Sequence, residues 1–179
     1  MRANSEVLRT RRFDLRPPRR GDVERFLGAV ERSRPFHREL VEPPAGEESF
    51  DAYVRRSAGD THRGFLVETR HGTELVGAVN LNNIVRGGLQ SASLGYYRLS
   101  AAGGRHAIRE AVSAVIGHGF GRLGLHRLEA NILPDNLRSR QLAASLGFRC
   151  EGLSLEYLRV GGRWRDHERW ALLHHEWTT

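Results

Sequence analysis

Between Ser91 and Phe120 the chain reads strand, glycine-bearing loop, helix, and this order constrains the fold more than any other stretch. Leu94, Tyr96 and Arg98 alternate with Ser93, Gly95, Tyr97 and Leu99, with the aromatic enrichment of a pleated strand. Ser100–His106 breaks that periodicity with two adjacent glycines. Ile108, Ala111, Val112, Val115, Ile116 and Phe120 then recur at helical spacing and predict one buried face. The first N–H groups of such a helix lack intrahelical partners and sit at the positive end of its dipole. With Arg105 and Arg109 nearby, the loop suits a phosphate-bearing ligand. An ordinary strand-to-helix turn uses the same residues, so the loop alone does not decide.

The flanking segments predict an α+β domain. Arg12–Arg16 reads as a first strand, and Asp22 as the N-cap of a helix carrying Val23, Phe26, Leu27 and Val30. Pro35, Pro43 and Pro44 make Ser33–Pro44 irregular. Glu47–Arg56 is a second helix, and Gly64–Thr69 and Glu74–Val85 form a hairpin in which Gly77 marks a bulge. Arg127–Leu133 alternates as a strand, Asn136 caps a helix over Leu137–Leu146, and Gly161-Gly162 joins two final strands. The expected sheet is mostly antiparallel, with one βαβ unit. The length fits one domain over residues 1–179, preceded by a basic arm over 1–11.

Charge and cysteine content narrow the function classes. All 28 basic residues are arginine, and the net charge is +7. The first 20 residues hold seven arginines against Glu6 and Asp14, so +5 of the excess lies there. Aromatics are not interleaved with those arginines, which argues against a nucleic-acid surface. No run suits a membrane span or a secretory leader, and the single Cys150 precludes an internal disulfide, so a cytoplasmic protein is expected. No His/Cys spacing suits zinc, and no metal is expected. The adjacent Asp166 and His167 point to opposite faces of a strand, which separates them as an acid–base pair.

Gly95-Tyr96-Tyr97, Gly103-Gly104, His126–Ala130, Pro134-Asp135-Asn136 with Ser139, Leu146-Gly147-Phe148, Glu151-Gly152 and Trp164–His167 follow one another in an order that resembles the GNAT superfamily of acetyl-CoA-dependent N-acetyltransferases. The branch most resembled is that of the ribosomal-protein-alanine (Rim-type) enzymes. The resemblance implies a mixed sheet flanked by helices, with acetyl-CoA between splayed strands Ser91–Leu99 and Arg127–Leu133. Tyr97, Arg98 and Leu99 would meet the pantetheine arm through their backbone, and Gly103, Gly104, Arg105, His106 and Ala107 would cradle the pyrophosphate. Asn136 and Ser139 match cofactor contacts, with Ser139 close to the sulfur as a proton or hydrogen-bond donor. Glu129 is the candidate base, and Tyr96, Glu156 and Tyr157 are candidate acceptor-site residues, the latter two also proton acceptors. The acceptor would be a primary amine on a protein N-terminus or a small molecule, entering between the Ser33–Tyr53 region and the Leu155–Arg163 hairpin. A homodimer is compatible with the resemblance.

The pyrophosphate loop departs from the family pattern. His106 stands where a glycine is expected, and Ile108 where a small residue is expected. A histidine that turns outward leaves an active transferase. A loop altered for another acyl-CoA, and a binding module with weakened or lost acetyl-CoA affinity, are the alternatives.

Overall fold

Alternating burial along Phe13–Arg16, with Phe13 and Leu15 inward, begins the main sheet of the computed structural model, which describes residues 6–37, 40–70, 74–102, 104 and 106–178. The strands are β1 (Leu8–Arg9), β2 (Phe13–Arg16), β3 (Arg63–Thr69), β4 (Leu75–Val85), β5 (Ser91–Arg98), β6 (Arg127–Ile132), β7 (Arg149–Val160) and β8 (Arg163–Leu173). They form one sheet in the order β1-β2-β3-β4-β5-β6-β8-β7. Every pairing is antiparallel except β5 with β6. That exception is the expected βαβ unit, closed by helix α3 (Ala107–Gly117).

Two helical layers cover the sheet. Helices α1 (Val23–His37) and α2 (Glu47–Ser57) bury Phe26, Phe50 and Tyr53 against Leu66, Ala78, Tyr97 and Leu99 on one face. On the other face, α3 and α4 (Leu137–Ser145) bury Val112, Val115, Ile116 and Ala143 against Phe65, Val79, Leu81 and Leu128. No helix among the described residues is long and apolar enough to cross a membrane.

Four local expectations are corrected. Leu8–Arg9, within the stretch read as an arm, pairs with Leu15 and Asp14 as β1. Two residues are too few to show alternation. Asp22 is not a helix N-cap; it ends a 3₁₀ turn over Arg20–Asp22 and accepts the Arg19 N–H at 2.8 Å. Its carboxylate is otherwise engaged by Arg16, at 2.6 and 2.8 Å. Pro35 does not break the chain but lies inside α1. The helix end beyond it is fastened by buried His37, whose Nε2–H donates to the Arg98 carbonyl at 2.7 Å. The bulge falls at Val76 rather than Gly77, which pairs in register with Val67 and Arg98. The Val76 carbonyl instead accepts N–H groups from Leu99 and Ser100, at 2.8 and 3.2 Å.

Candidate active site

Strands β5 and β6 pair only over Ser91–Ser93 and Arg127–Glu129. Beyond that point they part. β5 continues to Arg98 paired with β4 alone, and β6 continues to Ile132 paired with β8 alone. Parallel strands that diverge leave a row of backbone donors and acceptors facing the gap. This is the splayed cleft that the family resemblance implies.

Side chains on α4 close one wall of the gap. Asn136 caps the helix, its Oδ1 accepting the Ser139 N–H at 3.1 Å. Tyr96 reaches across from β5, and its hydroxyl donates to the Ser139 carbonyl at 3.3 Å. Burial pushes the Tyr96 phenol up to about 12 against the smaller influence of that bond, so it stays neutral. Ser139 itself is half-buried.

The loop leading into α3 carries the expected turn in part. Gly104 has φ +72, the left-handed region that glycine adopts without strain, and its N–H donates to the Ala101 carbonyl at 3.2 Å. His106 takes the N-cap position at φ −96 and ψ 0, with its side chain exposed, while Ala107 is buried. The expectations for Gly103 and Arg105 lie outside the described residues. Arg109 does not add its charge freely to the loop: its guanidinium donates to the Ser145 carbonyl and hydroxyl on α4, at 3.3 and 3.4 Å. Ile108 does not fill the loop either. It points back at β4, where Gly77 has no side chain to meet it.

The candidate proton acceptors fall in different surroundings. Glu129 is clamped between Arg127 and Arg169, each at 2.7 Å. Burial raises its carboxyl, but the bonds and charges of the two arginines outweigh this and hold it below the usual carboxylate range. Arg127 also pairs with Glu151, and Arg169 lies over the Tyr157 ring at 4.6 Å. Glu156 sits in a wide bulge of β7, where the register steps from Ser154 to Leu158 against β8. Its φ is +44, uncommon for a residue with a side chain, and Asp166 accepts its N–H at 2.8 Å. Asp166 therefore supports the bulge, while His167 is buried on the opposite side, as the alternation required.

Tyr96 and Tyr97 divide between the two faces of the sheet. Tyr96 packs towards α4, on the cofactor side of the expected cleft. The Tyr97 ring packs beneath α1 and α2, edge-on to His37 at 5.9 Å between centroids. There it lines a polar cavity of about 130 Å³ with Tyr53, Ser57, Asn80 and Asn82, and with Glu42 and Arg56 at its rim. Glu42 also accepts the N–H of Gly161 at 2.7 Å, so the α1–α2 connection touches the turn of the final hairpin. Sequence reasoning missed Glu42, Asn80 and Asn82. The available signal was Asn80 and Asn82 alternating with Val79 and Leu81 along β4. Among the described residues no cluster of His, Cys, Asp or Glu is arranged to hold a metal.

Comparison with known proteins agrees with this geometry. The family pattern described as an acetyltransferase (GNAT) domain matches residues 12–149. The probable N-acetyltransferase YjcK of Bacillus subtilis is 31% identical over 175 residues, covering 93% of this chain and 97% of that one. The ribosomal protein uS5 alanine N-acetyltransferase of Escherichia coli is 39% identical over 105 residues, covering 59% of this chain and 54% of that one. The chain thus matches about half the length of the Escherichia coli enzyme. The structure of Mycobacterium smegmatis RimJ in complex with CoA-disulfide superposes with a TM-score of 0.81 at 31% identity, covering 92% of this chain and 83% of that one.

Proposed function

The chain belongs to the GNAT family and is an acetyl-CoA-dependent N-acetyltransferase, and we propose that its acceptor is the α-amino group of a protein N-terminus. The observation that carries this reading is the parting of β5 and β6 after Ser93 and Glu129, next to Ser139 and the start of α3. The unpaired β5 backbone suits an amide-bearing pantetheine arm, and the α3 N-terminus with Gly104 suits a pyrophosphate. Tyr97, Arg98 and Leu99 supply backbone to the first. Of these, the Arg98 carbonyl is already engaged by His37. Gly103, Gly104, Arg105, His106 and Ala107 are proposed for the second.

Acetyl-CoA supplies an activated thioester carbon. The chain's task is to deliver a neutral amine to that carbon and to receive the thiolate that leaves. A C–N bond forms, the C–S bond breaks, and the proton lost by the ammonium passes to a base or to a water it holds. Backbone N–H groups freed on β5 are the donors for the carbonyl oxygen as it gains charge. Ser139, at the first turn of α4, is proposed to give a proton or hydrogen bond to the sulfur. Glu129, tied to two guanidinium groups, is a weak proton acceptor and serves better to hold Arg169 over the Tyr157 ring. Glu156, whose carboxylate has no ion pair or side-chain hydrogen bond among the described residues, is the stronger candidate base.

The acceptor reading draws on the match to the uS5 alanine N-acetyltransferase and on the polar cavity under α1 and α2. The chain 1–179 is proposed to act as one domain in the cytoplasm, with Cys150 reduced. The test is mass spectrometry of two peptides incubated with acetyl-CoA and the protein. One has a free N-terminus and no lysine; the other has a blocked N-terminus and one lysine. Acetylation of the first is expected. Modification of the second alone, or of neither while small amines react, overturns the N-terminal reading.

A further inference from the structure

The backbone of Glu156 is held while its carboxylate stays free. A φ of +44 is costly for a residue with a side chain, and such strain persists only where the surroundings impose it. The other positive-φ position of β7 is Gly152, which meets the demand without a side chain; at 156 the strand carries an acid instead. Two restraints impose the conformation. Asp166 accepts the Glu156 N–H at 2.8 Å. One residue on, the half-buried Tyr157 ring is packed by Arg169 and His167. The Arg169 guanidinium lies over that ring, 4.6 Å from its centroid. The His167 ring meets it at a steep angle, 6.2 Å between centroids, and is itself buried with its Nδ1–H donating to the Arg165 carbonyl at 2.9 Å.

Arg169 is anchored in turn. Glu129 accepts from Arg169 and from Arg127, each at 2.7 Å, and Arg127 continues to Glu151. Glu129 is also the last residue of β6 in register with β5, opposite Ser93, so it stands where the cleft opens. The contacts therefore run from the mouth of the cleft, through Glu129, Arg169 and Tyr157, to the bulge that bears Glu156. We propose that Arg169 and Tyr157 are positioning residues that aim the Glu156 carboxylate at the acceptor amine. This rests on the reading of Glu156 as the base. The proton passes from the ammonium to Glu156, directly or through a water; Arg169 and Tyr157 exchange none. The ring of Tyr157, not its hydroxyl, carries the constraint to the backbone at 156.

The experiment measures kcat and the KM for acetyl-CoA in Tyr157→Leu, Tyr157→Phe and Arg169→Met, each alone and combined with Glu156→Gln. Tyr157→Leu and Arg169→Met are expected to lower kcat by roughly tenfold, the scale of a misplaced reacting group, with the KM for acetyl-CoA within about twofold of native. Tyr157→Phe keeps the ring and should recover most of the loss. In the Glu156→Gln background neither Tyr157→Leu nor Arg169→Met should slow the enzyme further, because both act through the carboxylate already removed. A purely structural role lowers kcat by the same factor in both backgrounds, and that result overturns the proposal. Native kcat in Tyr157→Leu and Arg169→Met overturns it as well. A loss in Tyr157→Phe as large as in Tyr157→Leu makes the hydroxyl the working group and also overturns it. These three outcomes leave Glu156 as base; native kcat in Glu156→Gln alone removes the base reading and this inference with it.

Discussion

The Ile108 Cδ1 lies 2.7 Å from the point where a side chain on Gly77 would begin. The same point is 2.6 Å from the Tyr97 carbonyl oxygen. Helix α3 thus rests on β4 through the one strand position that offers no Cβ, and a bulky residue at the helix start is accommodated away from the phosphate loop. Gly77→Ala is expected to destabilise the protein by about 1–3 kcal/mol, as overpacked cores do. Adding Ile108→Ala should recover only part of this, because the Tyr97 carbonyl is backbone and cannot retreat alone. Urea denaturation of the two single variants and the double variant checks both statements. Full recovery would show that Ile108 alone opposes the Cβ.

Arg16 is the hub of a half-buried ionic cluster. It holds both oxygens of Asp22 and both of Glu68, and Arg25 also pairs with Glu68. Burial alone would raise the Asp22 carboxyl, but the hydrogen bonds of Arg16 and Arg19 and the nearby charges bring it below its ordinary 3.8. A lowered folded value contributes stability above 3.8 that is lost as pH falls below it. Arg16→Met should cost about 1.5–3 kcal/mol at neutral pH, because both carboxylates lose their hydrogen bonds to Arg16 while Arg25 remains beside them. Its stability should also fall less steeply than the native protein's below 3.8. Denaturation at neutral and acid pH checks this, and parallel slopes would remove Asp22 from the account.

The strands, helices and βαβ unit were legible because their apolar periods are long. Leu94–Leu99 and Ile108–Phe120 declare their faces unaided. The site was legible only as far as local chemistry reached. Asn136 capping α4 could be read from its neighbours, and the structure places its Oδ1 on the Ser139 N–H. Pro35 misled because proline is disfavoured in helices, while the contact that anchors the helix end, His37 to Arg98, spans 61 residues. The Glu42–Gly161 bond spans 119 residues and has no local sign at all. Tyr96 and Tyr97 were both visible as candidates, but which faces which layer depends on strand register, set by the pairing of β5 with β4.

His106→Gly tests whether the departure in the loop matters. The His106 ring is exposed, and its backbone at φ −96 is open to any residue. Removing it should change acetyl-CoA affinity by no more than about threefold, the usual scale for a surface substitution. Calorimetric titration measures this directly. A tightening of tenfold or more would mean that the imidazole obstructs the phosphates.

Asn136 and Ser139 make separable contributions. Asn136→Ala removes the α4 cap and should cost about 1 kcal/mol, whereas Asn136→Asp keeps an acceptor for the Ser139 N–H and should cost less. Ser139→Ala leaves that N–H in place, so its Tm should stay near the native value. Its kcat should fall about a hundredfold if the hydroxyl serves the departing sulfur. Thermal melts beside steady-state kinetics separate the two. A Ser139→Ala enzyme with native kcat would assign the protonation of the thiolate to another group or to water.

Glu129 and Glu156 can be told apart by asking what each loses when it becomes an amide. Glu129→Gln weakens the bonds to Arg127 and Arg169, both partly buried, so it should lower stability by about 1–2 kcal/mol and reduce kcat only modestly. Glu156→Gln changes no ion pair among the described residues and leaves the Asp166 contact, which uses the Glu156 backbone. It should therefore keep the native Tm and lose about a hundredfold in kcat. The pH profile provides the cross-check. Because the arginines hold the Glu129 carboxyl below its ordinary 4.5, a rate controlled by that group would decline only at pH values under 4.5. An acidic limb found there, and abolished in Glu129→Gln but not in Glu156→Gln, would return the proton to Glu129 and leave Glu156 to acceptor binding.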